Sequence, residues 1–472
     1  MTSFRTQAAR TRVVEQPAND SAGLRAAAFL FALVAAFAIT FAGQARATDV
    51  QRVISPGGIE AWLVEDTTNP LIAFSFAFTG GSNQDPDGKD GAARLMSGLL
   101  DEGAGDLDSK AFQDRLEDLS VRLSYSVNGD NFRGTVLTLS ANLDEAMELF
   151  RLSLSEPRFD AEPMERIRNR MIVGMRRAET DPDSISADRL FELIYGDHPY
   201  GRDNNGTEES LGVVTADDLH ALHKRLFARD NVKIGVVGDI SADVLEAVLD
   251  RVFGALPEAA DLRPVAEAPF GADGGTVDVS ELAVPQSSIQ FALPGIKRDD
   301  PDYMTAHVVN HIFGGGGFSS RLFEEVREKR GLVYSVYAYL YPFDHGALLI
   351  GGAGTQNARV AETMDVIRAE VERMGAEGPS ADDLEKAKRF LTGAYALRFD
   401  TSGKIANQLV GLQLDNLGID YFDRRNVRVE AVTLEDAKRV AARLFDPDTL
   451  IFTIAGAPAG VESTLPETGS DG

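Results

Sequence analysis

The amino-acid sequence predicts an α+β protein built from two homologous halves, each a mostly antiparallel sheet covered by helices. Two observations lead to this fold class. Segments of the second half repeat segments of the first, and strand-like apolar runs are interspersed with amphipathic helical ones. Hairpin-like pairs of strands interrupt a strict alternation, which favours an α+β arrangement over a parallel sheet. A chain of 472 residues with 44% hydrophobic residues has ample material for the buried cores this fold needs.

The internal duplication is the strongest of these signals, because three matches occur in one order at nearly one offset. The offsets are 218, 215 and 220 residues. The matched segments are VTADD at 214–218 with VTLED at 432–436, FAFTG at 76–80 with FALPG at 291–295, and Glu165 and Arg168 with Glu385 and Lys388. The chain therefore divides into residues 48–263 and 276–460, joined by a stretch rich in Pro, Ala and Gly at 256–275.

Periodicity assigns the elements within the first half. Period-2 or continuous apolar runs predict strands, and apolar residues three or four apart predict helices. The predicted strands are 72–78, 134–140 and 232–237, and the predicted helices are 109–119, 143–154 and 163–177. Residues 461–472 are predicted to form a flexible, solvent-exposed tail.

Residues 1–47 are predicted to be a secretory signal peptide. Several arginines precede an apolar run from Ala26 to Ala42, and Ala45-Arg46-Ala47 follows as a cleavage-type sequence. We expect cleavage after Ala47 and a periplasmic protein without stable membrane insertion. The alternative is an uncleaved anchor, because the run approaches the ~20 residues that span a bilayer.

Composition excludes several functions. Lys+Arg of 47 against Asp+Glu of 73 gives a net charge of −26, and a surface this acidic repels nucleic acid. The chain contains no Cys, so it forms no disulfide, thiolate zinc site or cysteine nucleophile. Any metal ligands would have to come from Asp, Glu and only six His.

Two motifs carry a family resemblance. The first half contains GGSNQD at 80–85 and GAARLMSG at 91–98, and the second contains GGGGFSSRLFEEVREKRGLVY at 314–334. With the duplication, these resemble the pitrilysin/insulinase-type zinc metallopeptidases, in particular the zinc-less subunit of the processing-peptidase-like branch. The resemblance covers nearly the whole mature chain and implies that its two halves together form half of a clamshell.

Active members of that family carry H-x-x-E-H on a helix of the first half, where two His bind zinc and the Glu acts as general base. The resemblance places Arg94 and Gly98 at the two His positions and Ser97 at the Glu position. The family's third ligand, a Glu further along, falls within 170–175, which contains no acid. We therefore expect no catalytic zinc and no other cofactor on this chain.

The second half keeps its motif. Ser320 is predicted to cap a helix over 321–330 that ends at Gly331, and a strand is predicted over 332–341. The resemblance implies that Arg327 and Tyr334 contact the substrate and its transition state at the zinc site of another subunit. The alternative is an ordinary surface Arg and strand Tyr.

The same motif begins with four consecutive glycines, Gly314, Gly315, Gly316 and Gly317. By resemblance they form a flexible loop on the substrate side, with a simple backbone turn as the alternative. His307 and His311 are four residues apart, but Asn310 stands where the family has its Glu, so we interpret this segment as a helix leading into the loop.

The leading functional hypothesis is a non-catalytic, substrate-binding subunit of an exported heterodimeric zinc metallopeptidase. Its partner would be a homologous subunit that carries H-x-x-E-H and the zinc, and its ligand a peptide substrate. The alternative is a stand-alone, inactive peptide-binding or scaffold protein of the same fold. An active peptidase with an unforeseen site is the least favoured interpretation.

Overall fold

A computed structural model describes residues 49–466, and two sheets organise this part of the chain. The first has the strand order β1-β2-β6-β3-β5-β4, in which only β2 and β6 pair in parallel. Its strands are β1 (Gln51–Ile54), β2 (Glu60–Glu65), β3 (Leu71–Thr79), β4 (Arg122–Val127), β5 (Asn131–Leu139) and β6 (Val232–Gly238). The predicted signal peptide lies outside the described residues.

The second sheet has the order β7-β11-β8-β10-β9, in which only β7 and β11 are parallel. Its strands are β7 (Val277–Glu281), β8 (Gln286–Pro294), β9 (Val333–Pro342), β10 (Ala347–Gln356) and β11 (Ile451–Gly456). The matched strands β3 and β8 have the same place in their sheets. Strand β3 lies between β6 and the hairpin β4–β5, and β8 lies between β11 and the hairpin β9–β10. The predicted α+β class with two mostly antiparallel sheets is confirmed.

Helices cover both sheets. Those of the first half are α1 (Ala92–Ser97), α2 (Ser109–Asp118), α3 (Leu143–Ser155), α4 (Ala161–Ala178), α5 (Pro182–Tyr195), α6 (Glu208–Gly212), α7 (Ala216–Leu226) and α8 (Ala242–Phe253). Those of the second half are α9 (Tyr303–Asn310), α10 (Val360–Glu377), α11 (Ala381–Gly393), α12 (Ser402–Leu414), α13 (Tyr421–Glu430) and α14 (Leu434–Leu444). Every one of these helices is too short or too polar to cross a bilayer.

The duplicated VT-x-x-D segments begin matching helices. Thr215 caps α7 by accepting the backbone N–H of Asp218, and Thr433 caps α14 by accepting that of Asp436. A Thr at the N-cap satisfies an N–H that the first turn leaves unpaired, so the repeated sequence has the same local cause in both halves.

Two helices are exchanged between the halves. Helix α5 of the first half packs its Leu190 and Ile194 against Ile451 of the second sheet. Helix α12 of the second half packs its Leu409 and Leu412 against the first sheet. Since α5 and α12 are about one repeat apart, the duplication makes this exchange reciprocal, and each sheet has one face covered by the other half.

Polar groups fix the position of the exchanged helices. The Thr453 hydroxyl of β11 donates to the Ser186 carbonyl of α5 at 2.7 Å. The Gln413 side-chain amide of α12 donates to the Ile234 carbonyl of β6 at 2.8 Å. Gly235 faces α12 so closely that a Cβ there would lie 2.5 Å from the Ala406 carbonyl oxygen. These contacts specify the register of each helix on the sheet it covers.

Candidate functional site

The degenerate metal motif lies on α1, a helix of only six residues. It begins after Gly91, whose φ of +89° is a conformation that favours glycine. The Asp85 carboxylate accepts the backbone N–H groups of Gly91 at 2.8 Å and Ala93 at 2.7 Å. These bonds satisfy donors at the helix N-terminus and set the direction in which α1 runs.

Two of the three motif positions have a local structural role. Ser97 is 6% exposed, and its hydroxyl donates to the Arg94 carbonyl at 2.7 Å. Gly98 caps the helix, and a Cβ there would lie 3.0 Å from Ile167 Cγ2 of α4. The Arg94 side chain is exposed. Ser97 and Gly98 are therefore explained by packing and backbone bonding, without metal chemistry.

A cavity of about 710 Å³ lies beside this motif. Arg94 of α1 lines it together with Arg170 and Gly174 of α4, and Tyr337 of β9 closes part of it from the second sheet. Arg94 and Gly98 thus stand at the two positions where the resemblance places zinc-binding His, and α4 presents no acid to the cavity. Among residues 49–466 no group of three or more His, Asp or Glu could hold a metal ion. The residues present do not fit zinc.

Asp188 gives this region a feature that sequence reasoning missed. It lies on the exchanged helix α5 and lines both this cavity and a neighbouring one of about 640 Å³. Burial, with the nearby charge of Asp203, raises the pKa of Asp188 to about 6. No local motif marks Asp188, because only the exchange of α5 brings it to the boundary between the two cavities.

The neighbouring cavity is polar and contains an inter-half hydrogen-bond network. The Tyr200 hydroxyl donates to the Asp130 carboxylate at 2.6 Å and accepts the backbone N–H of His345 at 3.0 Å. Asp344 and Asp415 also line this cavity, and burial raises the pKa of both carboxyl groups. The two cavities together form a largely acidic cleft between the sheets.

The structure brings Arg327 and Tyr334 together. The Arg327 guanidinium carbon lies 5.0 Å from the centre of the Tyr334 ring and 4.7 Å from that of Phe323. Tyr334 is 84% exposed, as an accessible site requires. Neither residue lines the cavity beside Arg94, where β9 contributes Tyr337 instead.

The helix–turn–strand junction that positions this pair follows the sequence prediction with one correction. Ser320 accepts the backbone N–H of Phe323 at 3.4 Å, and Gly331, with a φ of +60°, follows the end of the helix. However, Phe323–Glu328 is a π-helix rather than the regular α-helical turns predicted. The wider turn rotates the residues that follow it relative to an α-helix, and such turns are common at functional sites.

The four glycines have different environments. A Cβ on Gly314 would lie 2.6 Å from Ala338 Cβ, so this buried residue is required by its close approach to β9. Gly315 and Gly317 are exposed, and Gly317 has a φ of +56°. The following Phe318 is 81% exposed and packs edge-on against Phe323 at 4.9 Å. The surface open to a ligand is therefore Gly315 to Phe318, next to Arg327.

The histidines of the first half are packing residues. Tyr200 donates its backbone N–H to His198 Nδ1 at 3.1 Å. His223 Nε2 donates to the Leu154 carbonyl at 2.8 Å, and burial lowers its pKa to about 4. His220 lies against Phe159, with ring centres 4.8 Å apart. In the second half, His307 lies on α9 and His311 on its π-helical continuation towards the glycines, as predicted.

The fold and the degenerate motif define a class: a two-sheet, peptidase-like chain whose own metal site lacks its ligands. Residues 62–208 match the family model described as insulinase (peptidase family M16), and residues 214–391 match the peptidase M16 inactive domain. The chain belongs to peptidase family M16, and the resemblance inferred from the sequence is confirmed.

Individual relatives agree with this assignment. An uncharacterized zinc protease of Mycobacterium bovis is 30% identical over 311 residues, covering 65% of this chain and 70% of the relative. The non-peptidase homolog YmxG of Helicobacter pylori is 25% identical over 391 residues, covering 82% of this chain and 89% of the relative. A crystal structure of a peptidase M16 inactive domain from Pseudomonas fluorescens superposes with a TM-score of 0.82 at 29% identity, covering 89% and 100% of the two chains.

Proposed function

We propose that this chain is the non-catalytic, substrate-binding subunit of an exported heterodimeric zinc metallopeptidase. One observation carries the proposal: the half-buried Arg327 and the exposed Tyr334 lie side by side, while Arg94, Ser97 and Gly98 take the positions that zinc ligands and base would need. A chain that keeps the substrate-contacting pair without a metal site is suited to complete the site of another subunit.

The chemistry assigns a role to each side chain of the pair. Zinc neutralises only part of the charge that develops on the scissile carbonyl oxygen, and the Tyr334 hydroxyl would donate a hydrogen bond to that oxygen. The Arg327 guanidinium would hold a substrate carbonyl or carboxylate through two parallel N–H bonds, which Lys cannot reproduce. In the isolated chain Tyr334 is exposed and Arg327 is half-buried, and burial of both against the partner would strengthen their interactions.

The other components follow from this assignment. The partner is a homologous subunit with H-x-x-E-H, which carries the zinc that this chain does not bind. The substrate is a peptide, and the complex works in the periplasm after removal of residues 1–47. The family membership of both halves and the inactive-domain model at 214–391 support such a pairing.

The first experiment is affinity purification of this protein from the native envelope. We expect an H-x-x-E-H homologue to be recovered in equal amount. The reconstituted complex should then hydrolyse peptides, whereas the mature chain alone should not, with or without added Zn²⁺. If the chain is recovered alone and binds peptides alone, it is the stand-alone scaffold.

The second experiment tests the pair in the reconstituted complex. Tyr334→Phe should lower kcat by about 10²–10³-fold, the usual effect of removing one oxyanion donor. Arg327→Lys should raise KM and lower kcat together. The matched control is Tyr339→Phe, which removes a tyrosine hydroxyl at another position of β9 and should keep wild-type kinetics. Both test variants should leave the zinc content of the partner unchanged, and wild-type turnover by both would contradict the roles assigned here.

A further inference from the structure

Arg425 on α13 is a buried cation without a carboxylate partner. It is only 4% exposed, and its Nη1 donates to the Leu391 carbonyl at 2.7 Å and to Asn426 Oδ1 at 2.9 Å. In the part of the chain that the structure describes, its guanidinium makes no salt bridge. The buried Arg168 of the first half, by contrast, pairs with Glu165. Because a buried charge is destabilising unless it is compensated, Arg425 indicates a missing anion.

A second group beside Arg425 is also unpartnered. Tyr395 lies with its ring centre 4.4 Å from the Arg425 guanidinium carbon. This Tyr is 8% exposed, and its hydroxyl is buried with no hydrogen-bond partner within residues 49–466. An unmade hydrogen bond at a buried hydroxyl costs about 1–3 kcal/mol. A ligand oxygen would satisfy this hydroxyl together with the guanidinium.

The groups around this pair are cationic or neutral donors. The exposed Arg398 makes no ion pair with a described residue, and its charge acts on both Tyr395 and His307. Burial, with the charges of Arg425 and Arg398, lowers the pKa of His307 to about 4. His307 is therefore neutral at pH 7, with one ring N–H to donate. Such a concentration of positive charge is unexpected in a chain whose net charge is −26.

The duplication explains why a site would occur here. Helix α9 follows β8 as α1 follows β3, and α11 matches α4 at the offset of 220 residues. Helices α9, α11 and α13 pack together around Arg425 and Tyr395. In the second half, α9 and α11 thus take the places that α1 and α4, which line the cavity beside Arg94, have in the first half.

We propose that Arg425, Tyr395 and Arg398 form a binding site for an oxyanion, either a carboxylate or a phosphate, in the second half. Nε and Nη2 of Arg425, which make no hydrogen bond within residues 49–466, and the Tyr395 hydroxyl would supply three donors, and the exposed Arg398 would add charge. Exposed Phe390, stacked on His311 at 5.1 Å, and exposed Leu397 flank the cluster. These side chains suit a carboxylate that carries an apolar group.

Isothermal titration of the mature chain with inorganic phosphate and with hexanoate tests this site, and hexanamide is the uncharged control. We expect saturable binding of one anion per chain and no binding of hexanamide. Binding of phosphate alone identifies a phosphate site, and preference for hexanoate identifies an apolar carboxylate. The proposal is overturned if neither anion binds the wild-type chain.

Variants connect the binding to these residues. Arg425→Gln and Tyr395→Phe should each lower the affinity for the anion by about tenfold or more, because each removes a hydrogen bond to a charged group. Arg428→Gln, an equal charge change at an exposed position of the same helix, should leave the affinity unchanged. The anion should raise the melting temperature of the wild type and of Arg428→Gln. It should leave the melting temperature of Arg425→Gln unchanged.

A purely structural Arg425 gives a different result. Arg425→Gln would then lower the melting temperature equally with and without anion, and its anion affinity would equal that of the wild type. If Arg425→Gln does not fold, Tyr395→Phe decides the question, because it keeps the ring that packs against the guanidinium and removes only the hydroxyl. If Tyr395→Phe folds and binds the anion with the same affinity as the wild type and the control Arg428→Gln, the site is refuted.

Discussion

Replacing Leu409 of the second half by Ala should weaken the packing on the sheet of the first half and thereby destabilise the whole chain. Leu409 is fully buried on α12, where it packs against the first sheet in a cluster that contains Trp62. The change removes three buried carbons, worth about 2.4 kcal/mol at about 0.8 kcal/mol each. The cavity left between a helix and a sheet adds to this loss, so we expect the free energy of unfolding to fall by about 3 kcal/mol.

Trp62 makes the effect directly measurable, because it is the only Trp of the chain and is 6% exposed. Urea unfolding of the mature chain is followed by Trp62 fluorescence and, in parallel, by far-ultraviolet circular dichroism. In Leu409→Ala both transitions should move to lower urea and remain coincident, since the exchanged helices join the two halves in one cooperative unit.

Leu397→Ala is the matched control, because this Leu lies on the same half but is 75% exposed. Its free energy of unfolding should stay within about 0.5 kcal/mol of the wild type. A Trp62 transition that stays at the wild-type urea concentration in Leu409→Ala would refute the reasoning. So would a circular dichroism transition that shifts without the fluorescence transition.

Three further predictions concern the metal site, an acid-sensitive ion pair and a close backbone approach. The triple variant Arg94→His, Ser97→Glu and Gly98→His should still bind no stoichiometric zinc, because α4 presents no acid to the cavity beside Arg94. Plasma mass spectrometry of the purified protein measures this, and one zinc per chain would contradict it. Glu325, whose pKa three basic side chains lower to about 2, contributes stability that is present above its unfolded value near 4.5 and is lost as the pH falls from 4.5 towards 2. The wild type should therefore lose more stability than Glu325→Gln over this range in acid-denaturation curves, and parallel curves would count against the ion pairs. Gly235→Ala should lower the free energy of unfolding by about 1–3 kcal/mol, because its Cβ would lie 2.5 Å from a carbonyl oxygen of α12; unchanged urea unfolding would show that α12 can move away.

The local elements could be predicted from the sequence because their causes are local. The strand predicted at 72–78 is Leu71–Thr79, and that predicted at 232–237 is Val232–Gly238. The family resemblance also assigned Arg327 and Tyr334 to one site, and the structure brings the two side chains together across a capped helix and a glycine stop. Caps, stops and periodicity act over a few residues, which is the range over which a sequence pattern can be interpreted.

The cleft and the anion site could not be predicted in the same way. An amphipathic pattern shows that α5 buries one face, but not that the face is buried on the sheet of the other half. The position of Asp188 between two cavities follows from that choice. Likewise, neither Arg425 nor Tyr395 belongs to a motif. Only the folded structure shows that, among the described residues, Arg425 has no carboxylate partner and the Tyr395 hydroxyl has no hydrogen-bond partner.

The reciprocal exchange of α5 and α12 also determines the order in which this chain can finish folding. When the first half has been synthesised, its sheet still lacks α12, so apolar residues such as Ala73 and Val237 remain uncovered. Helix α5 meanwhile has no sheet to cover, because β8 and β11 have not yet been made. The first half can bury its own core before the second half exists, but the sheet face that α12 covers stays exposed until residues 402–414 have been made, and the second sheet is incomplete until residue 456 ends β11. The covering of these two sheet faces is therefore the last step of folding, and a fragment ending in the 256–275 linker would expose an apolar sheet face and aggregate.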